Sequence, residues 1–167
     1  MISGTSFDGI DVGCFDINVT DGVMSAKLIG FEGYEYQDHV HELIAKAMPP
    51  QMTDLETVCI LDTYIGQEFA RAAVDLSKKL GITADLIVSH GQTVFHWIDQ
   101  SHKARGTLQI GEPTWIAEAT GVTVLSNIRS RDVAAGGHGA PLVSIVDQLL
   151  LGHSAQPEGA LNLGGIS

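Results

Sequence analysis

Between Thr53 and Gly81 the chain carries one unbroken amphipathic repeat, and no other stretch limits the available folds as much. Val58, Leu61, Ile65, Phe69, Ala72 and Leu76 recur at helical spacing, so one long apolar face must be covered by something else in the molecule. Thr53 with Glu56 makes a T-x-x-E capping box at its start, while Lys78, Lys79 and Gly81 supply a cationic last turn and a glycine stop. The flanking segments say what covers it. Ile10 to Val19 alternates apolar with polar residues, Thr20-Asp21-Gly22 reads as a turn, and Val23 to Gly30 continues extended, which predicts a hairpin. Asp38 to Met48 reads as a shorter helix ended by Pro49-Pro50.

Downstream, Leu86-Ile87-Val88 is a short continuous apolar run, the pattern of a strand covered on both faces. Thr107 to Ile110 reads as another strand, Pro113 to Ala119 as a short helix stopped by Gly121, and Val122 to Ser126 as a further strand. Arg129 to Gly139 reads as a loop, Leu142 to Leu151 as a helix, and Ala160 to Leu163 as a strand entering a new glycine turn. A hairpin followed by strands alternating with helices is an α/β pattern with a mixed sheet, in which ligands gather at the carboxyl ends of strands.

Charge narrows the partners. Nine Lys plus Arg against 20 Asp plus Glu leave a net charge of -11, which disfavours nucleic acid over most of the surface. A nucleotide remains compatible, because backbone N–H groups, a metal ion and a few local cations suffice to hold phosphates. Cys14 and Cys59 form no CxxC spacing and no disulfide framework, which suits a reducing cytoplasm. No apolar run approaches the roughly 20 residues of a membrane span, and the first residues lack the apolar stretch of a signal peptide.

Three segments carry chemistry. Ser3-Gly4-Thr5-Ser6-Phe7-Asp8-Gly9 can turn several N–H groups toward one phosphate, with Asp8 facing a metal or its water shell. It is no Walker A loop, and by itself it fits an ordinary polar turn better than a phosphate site. Ser89-His90-Gly91-Gln92-Thr93 stands at a strand end. There the Gln92 amide and the Thr93 hydroxyl suit a polyhydroxylated ligand, although His90 can also simply satisfy a turn carbonyl. Arg129, Arg131 and Asp132, followed by a glycine-rich run, can grip a carboxylate, or form an exposed ion-paired loop. The chain has no Gly-x-Ser-x-Gly elbow and no aromatic ladder.

The segments I-S-G-T-S-F-D-G-I-D, S-H-G-Q-T-V-F-H, L-Q-I-G-E-P, I-A-E-A-T-G-V-T-V, R-S-R-D-V-A-A-G-G-H-G-A-P-L-V and L-N-L-G-G-I-S, in that order, resemble the anhydro-N-acetylmuramic acid kinase family along essentially the whole chain. The resemblance implies an actin-like ATPase (ribonuclease H-like) lobe, with residues 1–140 as the amino-terminal lobe and 141–167 as a connecting helix and first strand of a truncated second lobe. It implies use of ATP and Mg²⁺ to open 1,6-anhydro-N-acetylmuramic acid and phosphorylate it to N-acetylmuramic acid 6-phosphate, in peptidoglycan recycling. Water would attack the anomeric carbon while the departing 6-oxygen takes the γ-phosphoryl group. Carried over by position, Gly4, Thr5, Ser6, Phe7, Asp8, Gly9, Ile10 and Asp11 would bind the nucleotide phosphates, with Asp8 toward the metal. Ser89, His90, Gln92, Thr93, Thr120, Arg129 and Arg131 would bind the sugar. Arg131 is the expected partner of its carboxylate, and Asp132 is expected to orient the arginines.

The family's catalytic base is expected in an Asp-Cys-Gly-Pro-Gly-Asn type segment downstream of Ser167, so no catalytic residue is assigned within 1–167 and the chain alone is expected to be inactive. Only Met1 and Ile2 stand where a strand should lead into the phosphate turn. Asn127, Ile128 and His138 depart from the family's usual Asp, aromatic and Gln. Two alternatives stay open: a non-catalytic sugar- or nucleotide-binding remnant, and a kinase for another anhydro sugar such as levoglucosan. The expected partner is a small anhydro amino sugar, with room for a homodimer.

Overall fold

A computed structural model describes residues 1–21, 23–151 and 159. In chain order the elements are β1 (Ile10–Thr20), β2 (Val23–Tyr34), α1 (Asp38–Ala47), α2 (Leu55–Leu80), β3 (Ile87–Val88), β4 (Gln92–Ile98), β5 (Ala104–Ile110), α3 (Thr114–Thr120), β6 (Val124–Leu125), α4 (Ile128–Ala134) and α5 (Val143–Leu151). The strand expected at 160–163 and its glycine turn lie outside the described residues.

The long helix is the spine. Its apolar face buries Leu61, Ile65, Phe69, Ala72 and Leu76, and Ile65 and Phe69 are fully enclosed. Side chains of that size each contribute about 1.5–3 kcal/mol when taken from water. Its start differs from the sequence expectation by one residue: Asp54 is the cap, its carboxylate accepting from the Thr57 N–H at 2.7 Å. Asp54 holds extended backbone just before the first helical residue, so its oxygen reaches the exposed N–H that Thr53, one residue earlier, does not. Gly81 closes the other end, as expected.

Strands β1 and β2 pair antiparallel from Ile10↔Tyr34 to Thr20↔Val23, with a bulge beside Cys14 and Phe15. Ile10 and Val12 point into the core with α2. Tyr34 bonds Asp75 at 2.9 Å, and Lys79 bridges Asp75 and Glu32, which fastens β2 to α2. The opposite face of the hairpin leaves Phe15, Ile17, Val19 and Phe31 exposed by half or more.

Three two-stranded sheets form, β1–β2, β4–β5 and the parallel pair β3–β6. Residues 1–3 stitch two of them together. Ile2 exchanges both backbone bonds with Asp11, in antiparallel fashion. On the other side the Met1 carbonyl accepts from the His90 N–H, and the Ser3 N–H donates to Gly91, in parallel fashion. The hydrogen bonds therefore run from β2 through β1 and residues 1–3 to β3 and β6, antiparallel on one side and parallel on the other. That is the mixed arrangement read from the sequence, with α1, α2 and α3 packed against it.

Two elements differ from expectation. Residues 92–98 form β4, paired with β5 from Gln92↔Ile110 to Ile98↔Ala104. The segment was expected to be a strand-end cluster, because its apolar positions are broken by His96 and Thr93. Residues 128–134 form α4 where a loop was expected, entered through Asn127 in left-handed backbone (φ 52°), a conformation Asn tolerates better than most residues.

Candidate functional site

The glycine-rich turn begins where residue 3 leaves the sheet. Ser3 is buried, and its hydroxyl lies 2.7 Å from the Gly9 carbonyl and 2.6 Å from Gln92 Oε1, so its single proton is shared between the base of the turn and β4. Within the turn the Phe7 N–H donates to Gly4 at 3.1 Å, and Phe7 holds φ 43°. Its ring packs against the core and lies 5.5 Å from the His41 ring. Gly4, Thr5, Ser6 and Asp8 stay exposed. Among the described residues the N–H groups of Gly4, Thr5, Ser6, Asp8 and Gly9 have no backbone partner, so they remain available to an anion. Ser6 donates to the Asp8 carboxylate at 3.0 Å. Ile10 is fully enclosed, and the Asp11 N–H is engaged with Ile2, so these two anchor the turn rather than line it.

Gln92 is placed differently from its expected role. Its oxygen accepts from Ser3 and, at 3.4 Å, from Tyr36, while its amide nitrogen donates to the carbonyls of Gly4 (2.8 Å) and Thr93 (3.0 Å). With both ends engaged and no exposed surface, it is a brace for the turn, without a group left for a sugar. Burial raises the Tyr36 phenol above its ordinary range, so it stays neutral beside this brace.

His90 and Arg129 form the second part. The His90 Nδ1 faces the Gly91 carbonyl at 3.0 Å, and its Nε2 faces the Arg129 Nε–H at 2.5 Å. Because guanidinium can only donate, Nε2 accepts and the ring proton sits on Nδ1. Burial, and then the Arg129 charge, lowers the imidazole below the usual histidine range. Arg129 also donates to the Gly139 carbonyl at 2.5 Å. Among the described residues no carboxylate pairs with Arg129 or Arg131. Arg129 is half-buried, Arg131 exposed.

Asp132 does not orient the arginines directly, as the sequence had suggested. Its carboxylate accepts from the Gly139 N–H at 2.7 Å, because the chain after α4 folds back through the 136–139 turn and presents an amide there. A side chain at Gly137 would overlap that carboxylate.

Ser89 is buried, and among the described residues its hydroxyl has no partner. Thr93 is half-buried, its hydroxyl accepting from Gln109 at 3.4 Å. Thr120 is not brought to the others. It ends α3, its hydroxyl donates to Ile116 at 2.7 Å, and it lines a groove with Ser77, Gly81, Thr83 and Val122, ahead of the strands β3 and β6. His90 and Arg129 follow the far ends of those strands. The roles of Gly139 and Tyr36 carry no signal in the sequence, because they depend on groups that only the fold brings near.

One continuous path thus joins the segments: Asp132 to Gly139, Gly139 to Arg129, Arg129 to His90, His90 to Gly91, Gly91 to Ser3, and Ser3 to Gly9. The metal possibilities are narrow. Among the described residues no group of three His, Cys, Asp or Glu side chains is placed to cage an ion, and no helix is long and apolar enough to cross a membrane.

A family profile described as anhydro-N-acetylmuramic acid kinase matches residues 1–167. Among curated proteins of that description, the one from Streptomyces avermitilis is 49% identical over 168 residues, covering 100% of this chain and 44% of its own length. The Rhodococcus erythropolis protein is 46% identical, covering 100% of this chain and 42% of its own length. That of Caldanaerobacter subterraneus is 40% identical, covering 99% and 44%. The chain spans less than half the length of these relatives.

Proposed function

Because the chain belongs to the anhydro-N-acetylmuramic acid kinase family, we propose that it forms part of an ATP-dependent kinase that opens 1,6-anhydro-N-acetylmuramic acid and yields the 6-phosphate. In this reading residues 1–140 are one actin-like lobe, the reaction is cytoplasmic, and residues 1–167 require the rest of the polypeptide for turnover. The observation that supports it best is the hydrogen-bonded path that ties the Gly4–Gly9 turn to Arg129.

The turn takes the phosphate side. The free N–H groups of Gly4, Thr5, Ser6 and Gly9 would donate to phosphate oxygens, an arrangement that needs no lysine. Asp8 suits Mg²⁺, which keeps most of its waters and takes one or two carboxylates beside the phosphates. When bound there the ion would neutralise phosphate charge. The Ser3–Gln92 brace holds the turn in place before any ligand arrives, so little ordering is left to be done on binding.

Ser89, Thr93, Arg129 and Arg131 take the sugar side, and His90, with both ring nitrogens engaged, orients Arg129 for it. A guanidinium held by two neutral acceptors keeps its full charge, and its remaining N–H groups suit a carboxylate. Gln92 and Thr120 take no part in this contact set. The test is product analysis with the polypeptide that carries these residues in its natural reading frame. With ATP, Mg²⁺ and 1,6-anhydro-N-acetylmuramic acid it should release ADP and the sugar 6-phosphate in equal amounts. No ADP at high enzyme concentration, or faster turnover of levoglucosan, contradicts the proposal.

A further inference from the structure

Arg129 is oriented by groups that carry no net charge. Its Nε–H is taken by the neutral His90 ring and one Nη1–H by the Gly139 carbonyl. Among the described residues no acidic side chain lies within ion-pair distance of it. The carboxylate that does lie nearby, Asp132, is three residues further along the same short helix and accepts from the N–H of Gly139. Gly139 therefore gives its N–H to an acid and lends its carbonyl to an arginine. The Gly136 N–H to Val133 and Gly137 N–H to Asp132 backbone bonds hold the rest of that turn, and the bare α-carbon of Gly137 leaves room for the carboxylate.

We propose that Asp132 is a positioning residue for Arg129, acting through the Gly139 residue. The inference rests on the reading above that Arg129 meets an anionic group of the substrate. A carboxylate placed directly on the guanidinium would compete with that group and cancel its charge. Placed on Gly139 instead, it fixes the acceptor carbonyl and leaves the remaining guanidinium N–H groups free. The bond to the backbone amide is charge-assisted, hence stronger than a neutral one. The positive charge stays aimed while the negative charge does structural work at the turn.

The test reads Arg129 itself, in this whole chain, through hydrogen exchange of its Nε–H by nuclear magnetic resonance, assigned by its loss in Arg129→Lys. The native chain should show a protected Nε–H. Asp132→Asn keeps an oxygen to accept from Gly139, and protection should persist. Asp132→Ala should speed exchange roughly tenfold, as expected for loss of one charge-assisted hydrogen bond. Unchanged exchange in a folded D132A chain overturns the proposal. If D132A does not fold, Asp132→Glu replaces it, since the added methylene moves the carboxylate off the Gly139 N–H. Faster exchange in D132E than in D132N supports the role, and equal exchange overturns it. A titration with N-acetylmuramic acid separates the two readings. No shift of the protected Arg129 signal removes the anion-binding premise, while the exchange result stands on its own.

Discussion

The Ser3 hydroxyl and the Gln92 side-chain oxygen lie 2.6 Å apart, both buried, although 89 positions separate them in the chain. That contact closes the base of the glycine-rich turn onto β4. It converts a surface loop into one whose backbone amides are held ready.

Removing the amide tests the brace. Gln92→Leu keeps similar bulk but leaves the Gly4 carbonyl and the Tyr36 hydroxyl short of partners. Urea unfolding should show a loss of about 1–3 kcal/mol, the usual cost of stranding buried polar groups. A change within about 0.5 kcal/mol, the scale of ordinary surface substitutions, would mean that the brace contributes little.

Two glycines with similar backbone angles separate steric from conformational cost. Gly91 has φ 73°, and a Cβ there would stand 2.5 Å from the Ile110 carbonyl oxygen, whereas Gly121 has φ 69° with open space around it. Gly121→Ala should cost about 1 kcal/mol from left-handed backbone alone. Gly91→Ala should cost clearly more, since backbone must move as well. Equal thermal midpoints for the two variants would contradict this.

His90 sets a pH dependence. Its folded-state ring binds a proton less readily than the unfolded one, whose reference value is about 6.5. Below that pH the unfolded chain takes up a proton that the folded chain resists, so this contribution to stability is complete above about 6.5 and declines as pH falls. His90→Gln keeps an oxygen to accept from Arg129 and removes the titration. Its melting temperature should fall less than the native chain's between pH 7.5 and 5.5, and parallel profiles would count against the assignment.

The helix cap gives a paired comparison. Asp54→Ala should lower the melting temperature by removing the acceptor for the Thr57 N–H, while Thr53→Ala should leave it unchanged. Circular dichroism melts distinguish this from the reverse order, which would restore the Thr53 capping box.

What the sequence made legible follows from locality. The hairpin, α1, α2 and the Gly121 stop announce themselves through periodicity and caps set by neighbouring residues. The α4 segment did not, because Arg129 to Ala134 is short, charged and followed by glycines. Asn127 in left-handed backbone also gave it an unusual start. Strand β4 was hidden because Thr93 and His96 interrupt its apolar pattern, and its pairing depends on β5. The site shows the same division. The glycine-rich turn and the arginine segment stood out by residue type, but the engagement of Gln92, the distance of Thr120 and the Asp132–Gly139 bond depend on contacts between distant parts of the chain.

The most direct measurement of the central claim is a map of amide resonances during titration with Mg²⁺-ATP and then with 1,6-anhydro-N-acetylmuramic acid, using the polypeptide that contains this chain in its natural frame. The nucleotide should shift Gly4 to Gly9, and the sugar should shift His90, Thr93 and the Arg129 side chain, leaving Thr120 unmoved. Shifts that spare both the turn and Arg129, or that centre on Thr120, would contradict the account.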